Sequence, residues 1–184
     1  ENVGVAGAHN RAMRLTIERG YDFLWLWDQD SSAPPECLRY LLQSFREDAR
    51  RRPLQGSGKL PELGIVGPKL VDPESTDEFF AFFNPPFDLG RMYVRCFPMD
   101  WIESGEVRTN YLLSSGSLIS RDVIERVGGT DVSYFMDTVD FEYCSRVVSS
   151  GFRLTINANT WFHHRVGLPK ATRFGNRNLF GRGY

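Results

Sequence analysis

Two aspartates stand one residue apart at the end of an apolar run, Phe23-Leu24-Trp25-Leu26-Trp27-Asp28-Gln29-Asp30. Alternate residues of an extended strand point to the same side, so both carboxylates can converge on one point. Charge just beyond a buried strand is costly unless it meets a cation or hydrogen-bond donors. Two hard oxygen ligands there suit Mg²⁺ or Mn²⁺, with a substrate phosphate completing the shell. An acidic turn leading into a helix cap has the same look. A second acidic group, Asp137, Asp140 and Glu142, falls at the start of a helical pattern. Acidic residues there complement the helix dipole, and one carboxylate there could instead serve as a general base. His163-His164, after the last apolar run, offers an imidazole either to a divalent metal or to a structural contact. The segment holding Asn2, Gly4, Gly7 and Asn10 leads into a helix, whose N-terminal N–H groups attract phosphate. Gly-rich helix packing explains it as well, and it matches neither GxGxxG nor a P-loop.

These residues need elements to hold them. A helix follows the glycine-rich start, carries Ala12 and Leu15 on nearby turns, and stops at Gly20. Phe23 to Trp27 reads as a buried strand. Pro34-Pro35-Glu36 opens a second helix through Phe45 to Arg50, and Arg51 to Glu62 reads as an exposed loop. Gly64 to Val71 is expected as a short strand broken by turn residues. Asp72 to Gly105 is expected to be an irregular insert, with Phe79, Phe80, Phe82, Phe83, Phe87, Tyr93 and Trp101 forming either an acceptor side or a local hydrophobic cluster. Tyr111 to Ser120 reads as a strand containing Ser114-Ser115-Gly116-Ser117. Arg121 to Val127 is a short helix stopped by Gly128, Asp140 to Ser150 a helix stopped by Gly151, and Phe152 to Ala158 a final strand. The alternation predicts the α/β class: a Rossmann-like, mostly parallel sheet flanked by helices. Ligands in such sheets bind outside the carboxyl ends of the strands, where Asp28-Gln29-Asp30 falls.

With 184 residues the chain suits one domain, residues 1–184, with a ragged tail from about 168 to 184. A net charge of −1 gives no basic field to draw in nucleic acid. Cys37, Cys96 and Cys144 are odd in number and far apart, which argues against a disulfide framework or a cysteine metal site and fits a reducing cytoplasm. The longest apolar run falls well short of the ~20 residues that span a bilayer.

Taken in order, the motifs resemble those of the inverting glycosyltransferases of family 2, with the GT-A fold, and their rhamnosyltransferase-like branch. Asn2-Val3-Gly4-Val5-Ala6-Gly7-Ala8-His9-Asn10 is similar to the family's donor-binding helix entry. Tyr21 through Ser31 is similar to its strand and DxD. Ser115-Gly116-Ser117-Leu118-Ile119 through Gly128 resembles its central strand and helix. Phe135 through Arg146, ending in Gly151-Phe152, resembles its base-bearing helix, and His164-Arg165-Val166-Gly167 its late metal-binding histidine.

The resemblance implies a role for each residue. Asp30 binds the metal, Asp28 touches the metal or the donor, and His164 adds a ligand, with His163 its adjacent rival. Asp140 is the base, with Val139 where the family often has Glu, and Glu142 assists by orienting the acceptor. Asn2, Gly4, Gly7 and Asn10 line the donor site, and Gly116 lets backbone approach the sugar. The implied partners are a nucleoside-diphosphate sugar, rhamnose first and galactofuranose next, and a saccharide or lipid-linked acceptor in bacterial surface polysaccharide. The implied place is the cytoplasm or the cytoplasmic face of the membrane, where a peripheral contact suits a lipid-linked acceptor. The resemblance also implies a βαβ unit ahead of Glu1 that holds the base of the nucleotide, and a sheet edge open to a second copy of the chain. A degenerate sugar-binding scaffold and a nucleotidyltransferase of similar layout are the competing expectations.

Overall fold

The chain folds as α1 (Gly4–Glu18), β1 (Phe23–Trp25), α2 (Cys37–Arg51), β2 (Glu62–Val71), β3 (Phe80–Phe83), β4 (Arg95–Pro98), β5 (Glu106–Thr109), β6 (Leu118–Ser120), α3 (Arg121–Val127), α4 (Val139–Ser149) and β7 (Phe152–His163), with a 3-10 turn at Val132–Tyr134. The structure is a computed structural model and describes residues 2–52, 61–71, 80–83, 95–98, 104–135 and 138–164, the segments 80–83 and 95–98 by their backbone alone.

Five strands form one sheet in the order β1-β6-β2-β7-β5. β1, β2 and β7 point the same way, and β6 and β5 run against them. The α/β class, with helices flanking a Rossmann-like sheet, is as the sequence predicts, while the interleaved antiparallel strands are not announced by it. Leu41, Cys37, Leu63, Val66 and Leu118 pack α2 against one face. Met13, Ile119, Val123, Tyr143 and Val147 bring α1, α3 and α4 onto the other. β7 runs between these layers, with Phe152, Leu154, Ile156 and Phe162 fully buried, each contributing about 1.5–3 kcal/mol relative to exposure.

The helix ends follow local chemistry. At Gly20, φ is +68° and the Tyr21 and Gly20 N–H groups bond back to Thr16 and Ile17, a Schellman stop. Ser120 caps α3 by accepting from the Val123 N–H at 3.4 Å. Among the described residues no helix is long and apolar enough to cross a membrane. Cys37 and Cys144 are free and buried, and Cys96 lies where only backbone is described.

Several elements differ from the sequence reading. α1 starts inside the glycine-rich segment, at Gly4, rather than after it. β2 is continuous, because register shifts at Leu63/Ile65 and Pro68/Lys69 absorb its glycines and proline. The stretch expected to be irregular holds a β3–β4 antiparallel pair, and β5 begins just after it at Glu106. The strand expected over Tyr111–Ser120 is confined to Leu118–Ser120, and Ser114–Gly116 forms a turn. β7 runs past Ala158 to His163. The loop expected over Arg51 to Glu62 is shorter, since Arg51 ends α2 and Glu62 opens β2; its middle, 53–60, and the expected tail, 168–184, lie outside the described residues.

Candidate functional site

β1 and β7 are not sheet neighbours, yet the chain leaving β1 reaches β7. After Trp25, Leu26 still exchanges backbone bonds with Gly116 and Ser117. The chain then turns at Asp28, where the Ser31 N–H bonds to the Asp28 carbonyl at 3.3 Å. Ser32 forms a two-bond bridge with His163, 3.1 Å and 2.7 Å, along the stretch of β7 beyond the end of β5. That bridge sets the aspartate turn beside the last residue of the β7 segment.

Asp28, Asp30 and His164 meet there, and one ligand atom from each lies within 4.8 Å of the others. His164 Nδ1 lies 3.0 Å from Asp28 Oδ2. The Ser31 hydroxyl is 3.3 Å from the same Nδ1, and the Ser115 hydroxyl donates to Asp28 Oδ2. The bond from His164 holds the Asp28 carboxyl below its ordinary range, against the opposing effect of burial. Asp28 in turn raises the His164 imidazole, with Asp30 and Asp140 adding to the effect. Two carboxylates and an imidazole are a fitting donor set for Mn²⁺ or Mg²⁺. His163 is turned elsewhere: its Nδ1 is 3.4 Å from the Ser32 hydroxyl and its ring stacks on Trp161.

Asp140 sits at the first turn of α4. Burial raises its carboxyl above the aspartate range, and the charge of Asp28 adds to this. The Ser114 backbone N–H and hydroxyl bond to it and pull the other way. Burial lowers the His9 imidazole, so the ring is held toward its neutral form beside Asp28. His9, Ser114 and Asp140 line one small void of about 20 Å³. A carboxylate with a raised proton affinity, next to a possible cation site, is suited to taking a proton from a hydroxyl.

Other expected residues are placed differently. Glu142 lies two positions along α4 from Asp140, roughly 200° around the axis. Arg146 engages its carboxylate, with one contact at 2.9 Å, and the same guanidinium holds the carbonyls of Val127 and Gly129. Glu142 thus braces α4 against the loop after α3. Asn2, Gly7 and Asn10 line an open cleft of about 820 Å³ with Arg11, Arg14 and Phe135, whose lining includes none of Asp28, Asp30, Asp140 or His164. Asn10 is also a strut, exchanging bonds of 2.8 Å and 2.7 Å with the Thr130 backbone. Gly4 is required by contact: its φ is +68°, and a Cβ would lie 2.5 Å from the Phe135 carbonyl oxygen. Gly116 likewise has φ +77°, and its Cβ would meet Phe162 and Pro68 at 2.9 Å. The ring of Phe162 beneath it is reason enough for a glycine at that position. Asp137 lies outside the described residues.

Three residues of the site carry no pattern of their own in the sequence: His9, Ser114 and Ser115. The signal available for His9 was its place one residue before Asn10 in the helix entry. The serines sit in a turn, where side-chain direction follows no period.

No known protein-family profile matches the chain. The chain is similar to the dTDP-rhamnosyl transferase RfbF of Shigella flexneri, with 24% identity over 168 residues, 90% of this chain and 50% of that protein. It spans about half the length of the curated relative it matches.

Proposed function

We propose that this chain carries the reaction centre of a glycosyltransferase. It moves a sugar from a nucleoside diphosphate to a hydroxyl of a saccharide or lipid-linked acceptor, with inversion. The observation that carries this reading is the meeting of Asp28, Asp30 and His164 within 4.8 Å, with Asp140 electrostatically coupled to them. The similarity to a dTDP-rhamnosyl transferase supports it and puts dTDP-rhamnose first among donors.

The donor set fits a divalent cation, held by Asp30 and His164 with Asp28 beside them. When bound, Mg²⁺ or Mn²⁺ supplies Lewis-acid neutralisation of the charge that develops on the departing diphosphate. The protein residues do the rest. Exposed Asp30 stands at the mouth of the cluster, and Asp28 and His164 fix one another behind it. Asp140 takes the proton of the acceptor hydroxyl, and its raised proton affinity brings it closer to the operating pH. The hydroxyl oxygen then attacks the anomeric carbon from the face opposite the leaving group, so configuration inverts in one displacement. His9, whose imidazole burial shifts down, presents a hydrogen-bonding ring to the same space.

The test is transfer from dTDP-rhamnose, and from a panel of other nucleoside-diphosphate hexoses, to simple glycoside acceptors. Product anomers are read by proton NMR. A product of inverted configuration, formed only with Mn²⁺ or Mg²⁺ and lost in Asp140→Asn, supports the reading. A retained anomer, or equal transfer in Asp140→Asn, contradicts it.

A further inference from the structure

Two adjacent serines reach two different carboxylates. Buried Ser115 donates its hydroxyl to Asp28 Oδ2, the atom that also faces His164 Nδ1. Ser114 lines the same small void as Asp140, where hydrogen bonds from its backbone N–H and hydroxyl oppose the rise that burial imposes on that carboxyl. The turn carrying them is fixed on several sides. Within it, the Ser117 N–H bonds to the Ser114 carbonyl at 2.9 Å and the Ser117 hydroxyl to the Leu113 carbonyl at 2.5 Å. From β1, the Gly116 N–H bonds to the Leu26 carbonyl at 3.0 Å, and Trp25 Nε1 donates to the Gly116 carbonyl at 2.9 Å. Beneath it, Phe162 and Pro68 fill the space where a Cβ on Gly116 would go. Both hydroxyls therefore act from a backbone anchored to the end of β1 and to the core under β7.

Building on the transferase reading above, we infer that Ser114 and Ser115 are the positioning residues of the site, one holding the base and the other the metal-binding group. Ser115 holds Asp28 so that this carboxylate orients His164, the arrangement by which carboxylates behind metal-binding imidazoles set ring direction and basicity. Ser114 holds Asp140 in the small void that the two residues line together. Because the two serines are covalent neighbours, a shift of the turn moves both working groups together, and their separation is set by one peptide unit.

Each serine thus has its own readout. Ser115→Ala weakens Mn²⁺ binding in calorimetry by about 10- to 100-fold. Ser114→Ala leaves Mn²⁺ affinity and donor KM unchanged and lowers kcat by about tenfold, the effect of losing one hydrogen bond to a charged group. Ser115→Thr, which keeps the hydroxyl, restores Mn²⁺ affinity. If Ser115→Ala does not fold, Ser115→Cys, similar in size and a poor donor, replaces it. Unchanged Mn²⁺ affinity in the Ser115 variants, or a parallel loss of Mn²⁺ affinity and kcat in both single variants, overturns the assignment and leaves a purely structural turn. If the unaltered protein binds Mn²⁺ and a nucleotide sugar while the serine variants behave like it, this inference alone fails. If the unaltered protein binds neither, the transferase reading fails and takes the inference with it.

Discussion

The imidazole of His164 lies 3.0 Å from the carboxylate of Asp28, two groups delivered by the distant strands β7 and β1. The Ser32–His163 bridge makes this meeting possible by fastening the turn after β1 to the end of β7. The pair has a pH signature in the metal-free protein. His164 is raised on folding, so its contribution is fully present below its unfolded value near 6.5 and is lost as pH rises through its folded value. Asp28 is lowered, so its contribution is present above 3.8 and is lost as pH falls through its folded value. Asp28→Asn should therefore lower Tm more at pH 5.5 than at pH 9, as thermal unfolding without metal would show. An equal change at both pH values would mean that the pair adds no stability.

Asp140→Asn should separate activity from stability. A burial-raised carboxyl destabilises the fold at neutral pH, and this penalty fades as pH falls through its folded value. Replacing the carboxylate by an amide of the same shape should raise Tm at pH 7.5. At the same time it should cut kcat by about 10² to 10⁴, the usual contribution of a positioned base. A fall in Tm together with retained activity would remove Asp140 from the reaction.

Much of this site was legible in the sequence. Asp28, Asp30 and Asp140 occupy short segments whose neighbours announce a strand end or a helix start, and His164 follows a readable apolar run. The rest depends on packing at a distance. Gly4 and Gly116 look like ligand-facing glycines in sequence, and their close packing against Phe135 and Phe162 shows only in the folded chain. Glu142 looks like a catalytic neighbour because it is two residues from Asp140, yet helical geometry turns it to Arg146. β6 pairs antiparallel between β1 and β2 through only three residues, too few to show a period.

Gly116→Ala tests the packing beneath the site. The substitution places a Cβ 2.9 Å from Phe162 and Pro68 at a φ of +77°. It should cost about 1–3 kcal/mol from strain, with overpacking adding to it. Chemical denaturation should show a lower midpoint, and transferase activity should fall as the Ser114–Ser115 turn shifts. Full stability would mean that the turn tolerates a side chain there.

Glu142→Gln should be mild where Asp140→Asn is severe. The exchange weakens a partly exposed pair with Arg146, worth about 0–1 kcal/mol. A kcat within a few-fold of the unaltered protein is expected, with a small loss in Tm. A collapse of kcat at unchanged Tm would return Glu142 to the reaction centre.

Calorimetric titration of dTDP-rhamnose and other nucleoside-diphosphate sugars, with and without Mn²⁺, tests the central claim most directly. The unaltered protein is compared with Asp30→Ala. The account predicts binding that requires Mn²⁺ and disappears in Asp30→Ala. Binding that is indifferent to Mn²⁺ and unchanged in Asp30→Ala would contradict the assignment of Asp28, Asp30 and His164 as a cation site. Absence of any binding by the folded protein would contradict the transferase reading itself.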